Sequence, residues 1–502
     1  MAIRRRKSPA APKKSKGVDD REIRFVDTTL RDGHQSLWAE SMTTGMMLPI
    51  AERLDNAGFE AIELLSGSHI KKSVRELKEN PWDRIRLVAQ KVKKTPLRLI
   101  AGRVNTFGFD PLCLYELFLK RMAANGISQA RISEPWNDLP GWKRRIDAAN
   151  KAGMDSIINL IYSISPRHTD EYFAERTRQA TTLKPYRLCL KDPGGLLTPE
   201  RVRTLAPIVL KNAKGIHVEL HTHCTTGLGP LVSLEAIKLG IRTVNTGIPP
   251  LADDAALPNI FNVAANARAL GYKPIIDEEL LKPVSEHFYK IAKREGFPIG
   301  RPAEYDYGQY LHQVPGGMIS NLRHQLAKVG KEDRVDAALE ETIRVRAELG
   351  YPIMVTPLSQ YVGSQAAINV IVGERYKEVT DQVIRYALGQ FGEEGAEEMD
   401  PKVKDKILNR PRAREIAAEP VREPTLKEMR RELGGDGISD EEMLLRWLLP
   451  KDDIATMKAS GPVKEYRTER HPLVALIAEF SQRTDNNLIE VNRPGFALKL
   501  AR

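Results

Sequence analysis

Asp27-Thr28-Thr29-Leu30-Arg31-Asp32-Gly33-His34-Gln35-Ser36 is the most informative stretch of this sequence. It follows a short, mostly apolar run at 23–26 that is typical of a β-strand. The two threonines continue the strand pattern to residue 29, and Arg31-Asp32-Gly33 then places charges and a flexible turn at its end. Because α/β proteins bind ligands at the carboxyl ends of their strands, this stretch predicts a ligand site.

Around this stretch, residues 21–275 alternate short apolar segments with amphipathic ones. Eight strands are predicted at 23–29, 60–65, 97–104, 128–132, 154–162, 186–191, 216–221 and 242–246. Helices are predicted at 41–57, 110–124, 139–151, 168–182, 199–212, 228–239 and 256–270. This alternation predicts a (β/α)8 TIM barrel. An open doubly wound sheet is the alternative, but no Gly-x-Gly-x-x-Gly follows the first strand.

Beyond the barrel the strand pattern disappears, and residues 276–450 are predicted to form a mostly helical domain. A charged linker is expected at 410–438, and 451–502 is expected to hold a helix from about residue 471 and a hairpin. Pro315-Gly316-Gly317 predicts an abrupt turn that leads into Ser320. Helices are predicted at 277–294, 335–348, 358–374, 378–391 and 402–409.

The formal net charge of +11 comes mostly from the N-terminal residues. Residues 1–18 hold seven arginines and lysines and no acid, so 1–20 is predicted to be a disordered basic tail. The rest is only mildly basic, which argues against a nucleic-acid partner. No run of about 18 apolar residues predicts a transmembrane segment, and three scattered cysteines do not form a disulfide framework. These features indicate a cytoplasmic protein.

Two later strand ends carry residue types that bind metals. Lys191-Asp192 ends the sixth predicted strand, and His221-Thr222-His223 ends the seventh. Because residues two apart on a strand point to the same face, His221 and His223 can chelate one ion. Asp32 adds an oxygen ligand from the first strand. This mixture suits zinc, manganese or cobalt rather than calcium.

Lys191 is an unusual residue to find beside predicted metal ligands, because a metal cation repels an ammonium group. Burial and a nearby cation lower the pKa of a lysine, so a deprotonated Lys191 could act as a base. Reaction with carbon dioxide would instead make it a carbamate, an anionic oxygen ligand. A solvated surface lysine or an ion pair with Asp192 is the simpler interpretation, and the residues alone leave these alternatives open.

Three ordered motifs resemble one enzyme family. They are Asp27–Ser36, Leu190-Lys191-Asp192-Pro193-Gly194-Gly195-Leu196-Leu197 and His221-Thr222-His223-Cys224-Thr225-Thr226-Gly227. These motifs are similar to the carboxyltransferase domain of biotin-dependent pyruvate carboxylase, to the oxaloacetate decarboxylase alpha subunit and to the transcarboxylase carboxyltransferase subunit. The resemblance covers roughly residues 23–450.

The resemblance implies carboxyl transfer between carboxybiotin and an enolisable 2-oxo acid, with pyruvate and oxaloacetate as the default pair. The implied ligands of a divalent metal are Asp32, carbamylated Lys191, His221 and His223. The implied substrate-binding residues are Arg31, Gln35 and Arg103, with Arg31 also stabilising an enolate. Ser320 takes the place of the threonine that carries a proton between biotin and substrate in the family. The helical domain would complete the active site.

Three departures from the family lie near the expected substrate pocket. Arg103 stands two residues, not three, before Asn105. Cys224 replaces an aspartate, and residues 249–255 replace a Ser-Met-Ser-Gly stretch. A larger 2-oxo acid is therefore an open alternative to pyruvate. Cys224 is predicted to be a packing residue, because it faces away from both histidines.

The sequence has no Ala-Met-Lys-Met biotinylation motif and no ATP-grasp pattern. The biotin carboxyl carrier protein and the biotin carboxylase are therefore expected on separate chains, with the 451–502 segment as a possible carrier-docking element. A homodimer is expected by resemblance. Two alternatives remain. The first is a synthase or lyase of the isopropylmalate synthase and hydroxymethylglutaryl-CoA lyase class, which typically has Glu at the position of His34. The second is a catalytically altered scaffold protein.

Overall fold

Eight parallel strands close into a barrel in the order in which they occur along the chain. They are β1 (Glu22–Asp27), β2 (Ala61–Ser66), β3 (Leu97–Ala101), β4 (Gln129–Ile132), β5 (Asp155–Ile161), β6 (Arg187–Asp192), β7 (Val218–Thr222) and β8 (Thr243–Thr246). Because β1 pairs in parallel with both β2 and β8, the barrel is closed. A short strand, β9 (Lys273–Pro274), also pairs with β1. The predicted (β/α)8 barrel is confirmed, and the open doubly wound sheet is wrong.

This computed structural model describes residues 19–105, 110–314, 326, 330–419, 422–466, 488–493 and 496–501. The α-helices between barrel strands and after β8 are His34–Leu37, Thr44–Met47, Ala51–Asn56, Gly67–Lys72, Pro81–Lys91, Leu112–Asn125, Leu139–Lys151, Asp170–Thr182, Pro199–Asn212, Gly229–Lys238 and Ile260–Ala269. Two π-helices lie at Thr29–Gly33 and Ser73–Leu77.

The helices between β2 and β3 are not among the sequence predictions. A signal for Pro81–Lys91 is nevertheless present, because proline is favoured at the first helical position and asparagine just before it. The Asn80 side chain accepts a hydrogen bond from the Trp82 backbone N–H at 3.0 Å, which caps this helix.

The second half of the chain is mostly helical, as predicted. Its described α-helices are Glu278–Glu295, Gly308–His312, Val335–Glu348, Leu358–Val372, Asp381–Ala387, Glu393–Glu397, Pro401–Leu408, Pro411–Ala417, Leu426–Leu433, Asp440–Leu448 and Lys451–Ala459, with a 3-10 turn at Glu332–Arg334. The expectation of a linker at 410–438 is wrong, because two of these helices lie within it. Charge does not exclude a helix there: Thr425 and Glu428 form a capping box at the start of the second one.

The C-terminal hairpin is confirmed, since β10 (Leu488–Arg493) and β11 (Phe496–Ala501) pair in antiparallel orientation. The helix expected from about residue 471 and residues 1–18 of the basic tail lie outside the described residues. In the part of the chain that the structure describes, no helix is long and apolar enough to cross a membrane.

Charged side chains lie inside the barrel, where most TIM barrels have apolar ones. Glu63, Arg98, Arg131 and Glu219 come from four different strands and are at most 1% exposed. Arg98 Nη1 lies 2.7 Å from Glu219 Oε1, and Arg131 Nη1 lies 2.9 Å from Glu63 Oε1. Because unpaired buried charges are costly, these ion pairs restrict how the strands can be arranged.

Glu441 fastens the helix Asp440–Leu448 to two barrel helices. Its carboxylate accepts hydrogen bonds from Arg86 Nη1 at 3.0 Å, from Arg121 Nη2 at 2.8 Å and from Asn125 Nδ2 at 2.9 Å. Apolar residues of the same helix belong to the hydrophobic core of the barrel. This C-terminal helix is therefore part of the barrel's outer layer.

We expect Glu441→Ala to destabilise the protein by about 1–2 kcal/mol, because three donors lose a partly buried anionic acceptor. Differential scanning calorimetry should show an unfolding temperature lower by about 1–2 °C, because the unfolding entropy of a chain of this length is large. Asp436→Ala removes an exposed acid nearby in the sequence and should cause no such shift. Equal unfolding temperatures for the two variants would contradict the role of Glu441.

Candidate metal centre and active site

A tight turn follows β1 and carries Arg31 and Asp32. The Thr28 carbonyl accepts hydrogen bonds from the backbone N–H groups of Arg31 (3.1 Å) and Gly33 (3.0 Å). The strand therefore ends at Asp27 rather than at residue 29. Gly33 has helical dihedral angles, so the predicted turn takes the form of a short helical segment. A Cβ atom there would lie 2.6 Å from the Leu251 carbonyl oxygen, so glycine permits a close approach of the loop after β8.

Asp32, His221 and His223 converge at the carboxyl ends of β1 and β7. Asp32 Oδ2 lies 3.4 Å from His221 Nε2, and Asp32 Oδ1 lies 3.6 Å from His223 Nε2. The two Nε2 atoms are 3.3 Å apart. Among the described residues, these three form the one group of His, Cys, Asp or Glu whose ligand atoms all lie within 4.8 Å of one another. The structure thus brings together three of the residues predicted to bind a metal.

The hydrogen-bond partners of the two histidines fit a cation site. His223 Nδ1 lies 2.7 Å from the Ala255 carbonyl oxygen, and His221 Nδ1 lies 3.0 Å from Asn245 Oδ1. Because both oxygens are acceptors, a proton on Nδ1 of each ring would satisfy them and would leave a lone pair on Nε2. Two such lone pairs beside a carboxylate repel one another unless a cation lies between them. The donor set suits a divalent transition metal.

The surrounding charges favour the protonation states that bind a metal. Burial opposes ionisation of Asp32, but Arg31 and His223 hold its pKa well below the usual value. Burial and the nearby Arg131 lower the pKa of His221 well below that of a free histidine. At neutral pH Asp32 is therefore an anion and His221 is neutral, as metal coordination requires.

Arg31 lies between two buried carboxylates at the edge of this cluster. Its Nη1 is 2.5 Å from Asp32 Oδ2 and donates to Gln35 Oε1 at 3.4 Å. Its Nε and Nη2 donate to Glu63 Oε2 at 3.0 and 2.6 Å. Arg31 and Gln35 are thus neighbours, as their predicted shared role in substrate binding requires.

Lys191 lies on β6 beside His221 of β7, with their Cα atoms paired in parallel register. It is 8% exposed. Burial, together with the positive charges of Arg131 and Arg31, lowers the pKa of Lys191 from 10.5 to about 8. A lysine with this pKa loses its proton more easily than a surface lysine, which both the base and the carbamate interpretations need.

The Asp192 side chain is engaged elsewhere, so it does not explain Lys191. Its two carboxylate oxygens accept hydrogen bonds from the backbone N–H groups of Leu196 and Leu197, each at 2.8 Å. Thr222 Oγ1 donates to the same carboxylate at 2.9 Å. Asp192 therefore shapes the loop after β6.

Three further predicted positions differ in what the structure shows. The Arg103 guanidinium lies over the Phe391 ring at 4.6 Å, so it joins the end of β3 to the helical part of the chain. Cys224 is buried, with Sγ 4.0 Å from Asp253 Oδ1, and does not belong to the ligand cluster. Ser320 lies outside the described residues.

Sequence reasoning missed the residues that support the cluster. Asn245 and the Ala255 carbonyl orient the histidines, and Glu63 orients Arg31. A strand pattern shows that Glu63 and Asn245 can face inward, but it does not show which side chains they meet. The Ala255 contact uses the backbone, so no side chain signals it.

The fold and this cluster define a class: a TIM-barrel enzyme with a candidate metal centre at the carboxyl ends of its strands. The structure superposes on the carboxyl transferase domain of Rhizobium etli pyruvate carboxylase, determined with pyruvate, with a TM-score of 0.79. The sequence identity is 21%, over 95% of this chain and 83% of that one. At this identity the likeness shows the fold.

Sequence comparison identifies the family. A family model described as a conserved carboxylase domain matches residues 310–486. A pyruvate carboxylase subunit of Methanocaldococcus jannaschii is 32% identical, over 95% of this chain and 84% of its own length. The 2-oxoglutarate carboxylase large subunit of Hydrogenobacter thermophilus is 31% identical, over 87% of this chain and 68% of its own length. The methylmalonyl-CoA carboxyltransferase 5S subunit of Propionibacterium freudenreichii is 30% identical, over 78% of each chain.

This chain belongs to the biotin-dependent carboxyltransferase family that contains the Methanocaldococcus jannaschii pyruvate carboxylase subunit. The family resemblance of the three motifs is therefore confirmed, and the chain is an enzyme of the carboxyltransferase type. The isopropylmalate synthase and hydroxymethylglutaryl-CoA lyase class is set aside by the same comparisons.

Asp27 holds the turn after β1 and has an unusual pKa. Its Oδ1 accepts a hydrogen bond from Thr29 Oγ1 at 2.6 Å, and Thr29 Oγ1 accepts one from the Ile248 backbone N–H at 2.9 Å. Burial, reinforced by Glu63, raises the pKa of Asp27 from 3.8 to about 7. The folded protein therefore keeps a proton that the unfolded chain releases.

The contribution of Asp27 to stability should be fully present below about pH 4 and be lost as the pH rises to about 7. Asp27→Asn keeps the shape and the acceptor without the ionisation. Between pH 4.5 and 7.5 the free energy of unfolding of Asp27→Asn should therefore increase by about 2–4 kcal/mol relative to that of the unaltered protein. Its unfolding temperature should rise accordingly. The exposed control Asp20→Asn should show no pH-dependent difference. A difference for Asp27→Asn that does not change with pH would refute the raised pKa.

Proposed function

We propose that this chain is the carboxyltransferase subunit of a multi-subunit biotin-dependent enzyme. It moves carbon dioxide between carboxybiotin and an enolisable 2-oxo acid, with pyruvate and oxaloacetate as the default pair. The observation that carries the proposal is the convergence of Asp32, His221 and His223 beside Arg31 and Lys191 at the carboxyl end of the barrel.

Asp32, His221 and His223 would hold a divalent metal, either zinc, manganese or cobalt. Lys191 would complete the ligand set after its neutral amine attacks carbon dioxide, which forms an N–C bond and releases one proton to water. The resulting carbamate is anionic, so it balances a cation that a lysine would repel. When bound, the metal supplies Lewis-acid stabilisation of negative charge on the substrate oxygen.

Arg31 and Gln35 would bind the carboxylate or carbonyl of the 2-oxo acid. Arg31 is fixed by Glu63 on one side, so its charge is oriented before the substrate arrives. Buried surroundings exclude water, which protects the released carbon dioxide and an enolate from side reactions. Ser320 as the proton carrier between biotin and substrate, and Arg103 as a substrate-binding residue, stay predictions.

The partners and the substrate follow from the relatives by analogy. The names of three relatives contain pyruvate, 2-oxoglutarate and methylmalonyl-CoA. We propose a biotin carboxyl carrier protein and a biotin carboxylase on separate chains, a homodimer and a cytoplasmic location. The domain boundaries are proposed at 21–275 for the barrel, 276–450 for the helical domain, whose last helix Asp440–Leu448 packs on the barrel, and 451–502 for a carrier-docking segment.

The test is metal analysis and intact mass of the purified chain, followed by oxaloacetate decarboxylation with free biotin added. We expect a bound transition metal and turnover that depends on biotin. Lys191→Ala should lower this turnover by at least about 100-fold and reduce the metal content, because it removes the carbamate ligand.

Lys211→Ala removes an exposed lysine and should leave both turnover and metal content unchanged. Full activity of Lys191→Ala would refute the carbamate. If the protein holds a metal and a carbamate but does not turn over oxaloacetate, the substrate would instead be a larger 2-oxo acid. If metal, carbamate and turnover are all absent, a catalytically altered scaffold would be favoured.

A further inference from the structure

Three interior residues link the two charged parts of the candidate site. Arg131 Nη1 lies 2.9 Å from Glu63 Oε1 and donates to Asn245 Oδ1 at 2.6 Å. Asn245 Oδ1 lies 3.0 Å from His221 Nδ1, and Glu63 Oε2 accepts from Arg31. We propose that Glu63, Arg131 and Asn245 form a positioning chain that sets the ring proton of His221 and ties the orientation of His221 to that of Arg31. The inference rests on the metal centre of the proposed function.

The positioning chain determines the orientation of the Asn245 side-chain amide, that is, whether its oxygen or its nitrogen lies next to Arg131. A guanidinium group has donors only, so the amide atom 2.6 Å from Arg131 Nη1 must be the oxygen. The opposite amide orientation would set two donors against each other. Arg131 Nη1 is also 3.1 Å from His221 Nδ1. Its two hydrogens have closer acceptors in Asn245 Oδ1 at 2.6 Å and Glu63 Oε1 at 2.9 Å, which leaves Asn245 Oδ1 to accept the Nδ1 proton of His221 at 3.0 Å. His221 therefore holds its proton on Nδ1 and keeps the Nε2 lone pair free for a metal.

Glu63 gives Arg131 and Arg31 a shared counter-ion. Its side chain is fully buried, with Oε1 next to Arg131 and Oε2 at 3.0 and 2.6 Å from Arg31 Nε and Nη2. Burial would raise the pKa of Glu63, but Arg131 and Arg31 outweigh it and lower the pKa to about 2. A buried anion between two cations cannot move toward one without weakening its contact with the other. A displacement of Arg31 is thereby transmitted through Arg131 and Asn245 to His221.

The first experiment measures metal binding and the His221 tautomer on the full chain. Asn245→Leu should raise the Kd for Zn²⁺, measured by competition with a chromophoric chelator in bicarbonate buffer, by about 10–100-fold. Asn245→Asp keeps an acceptor oxygen and should recover most of that affinity. Asn159→Leu is the matched control, because Asn159 is also fully buried and its amide has no hydrogen-bond partner in the described structure.

Nitrogen-15 spectra of histidine-labelled unaltered protein supply a readout that does not depend on a variant folding. The His221 signals, assigned by comparison with His221→Gln, should show the proton on Nδ1, and Asn245→Leu should move it partly to Nε2. A proton on Nε2 in the unaltered protein would overturn the inference. So would a Zn²⁺ affinity of Asn245→Leu that matches that of Asn159→Leu.

A second experiment tests whether Glu63, the partner of Arg31, acts on the metal site through Asn245, with a double-mutant cycle on Zn²⁺ affinity. If Glu63 acts through Asn245, Glu63→Gln combined with Asn245→Leu should weaken binding little more than Asn245→Leu alone. Effects that multiply fully would show independent residues and would refute the tie. Neither experiment requires carboxyl transfer, so a chain with the expected tautomer and metal affinity but no transfer would contradict the proposed function and leave this inference standing.

Discussion

Charge neutralisation inside a closed barrel is the constraint on which this structure depends. Glu63, Arg98, Arg131 and Glu219 are shielded from water by eight strands and their helices, so each charge needs a partner at close range. Arg131 is the central member: it lies 2.9 Å from Glu63 and 4.0 Å from Glu219. A shift of β4 by one residue would turn Arg131 out of the barrel and take its charge away from Glu63 Oε1, while Arg31 would still bind Oε2 and Arg98 would still pair with Glu219. The interior charges therefore specify the strand register.

The same constraint extends to the carboxyl end of the barrel. Arg31 and Arg131 are both close to carboxylates, so little positive charge remains for the lone pairs of His221 and His223. A divalent cation would balance these lone pairs, and Lys191 can contribute to its binding only after the lysine loses its own positive charge. The charges of the barrel interior and of the candidate metal centre are therefore balanced together, by residues from several different strands.

The strands were predictable because each one is a short apolar run closed by turn residues, a pattern that needs no knowledge of contacts. The cluster of Asp32, His221 and His223 was predictable for a related reason: these residues have distinctive chemistry and stand at strand ends. The interior ion pairs were not predictable from the sequence. Arg98 and Glu219 are 121 residues apart in sequence, and a charged residue in a strand pattern looks the same whether it faces water or the barrel axis. Which of these two directions a charged residue faces becomes clear only when the strands are closed into a barrel.

The contacts at the rim of the barrel are separate from the candidate metal cluster. Asp32, His221 and His223 all lie on a barrel strand or on the loop that follows one, so this cluster owes no ligand to the helical part of the chain that the structure describes. The helical part instead contacts the rim: Phe391 packs under Arg103 after β3, and Arg346 donates to Ser163 Oγ at 2.9 Å and to the Ile164 carbonyl at 3.0 Å after β5. A change at these rim contacts can alter the shape of the barrel mouth while the cluster of Asp32, His221 and His223 stays intact. The rim contacts and the candidate metal centre are therefore formed by different parts of the chain, so one can change without the other.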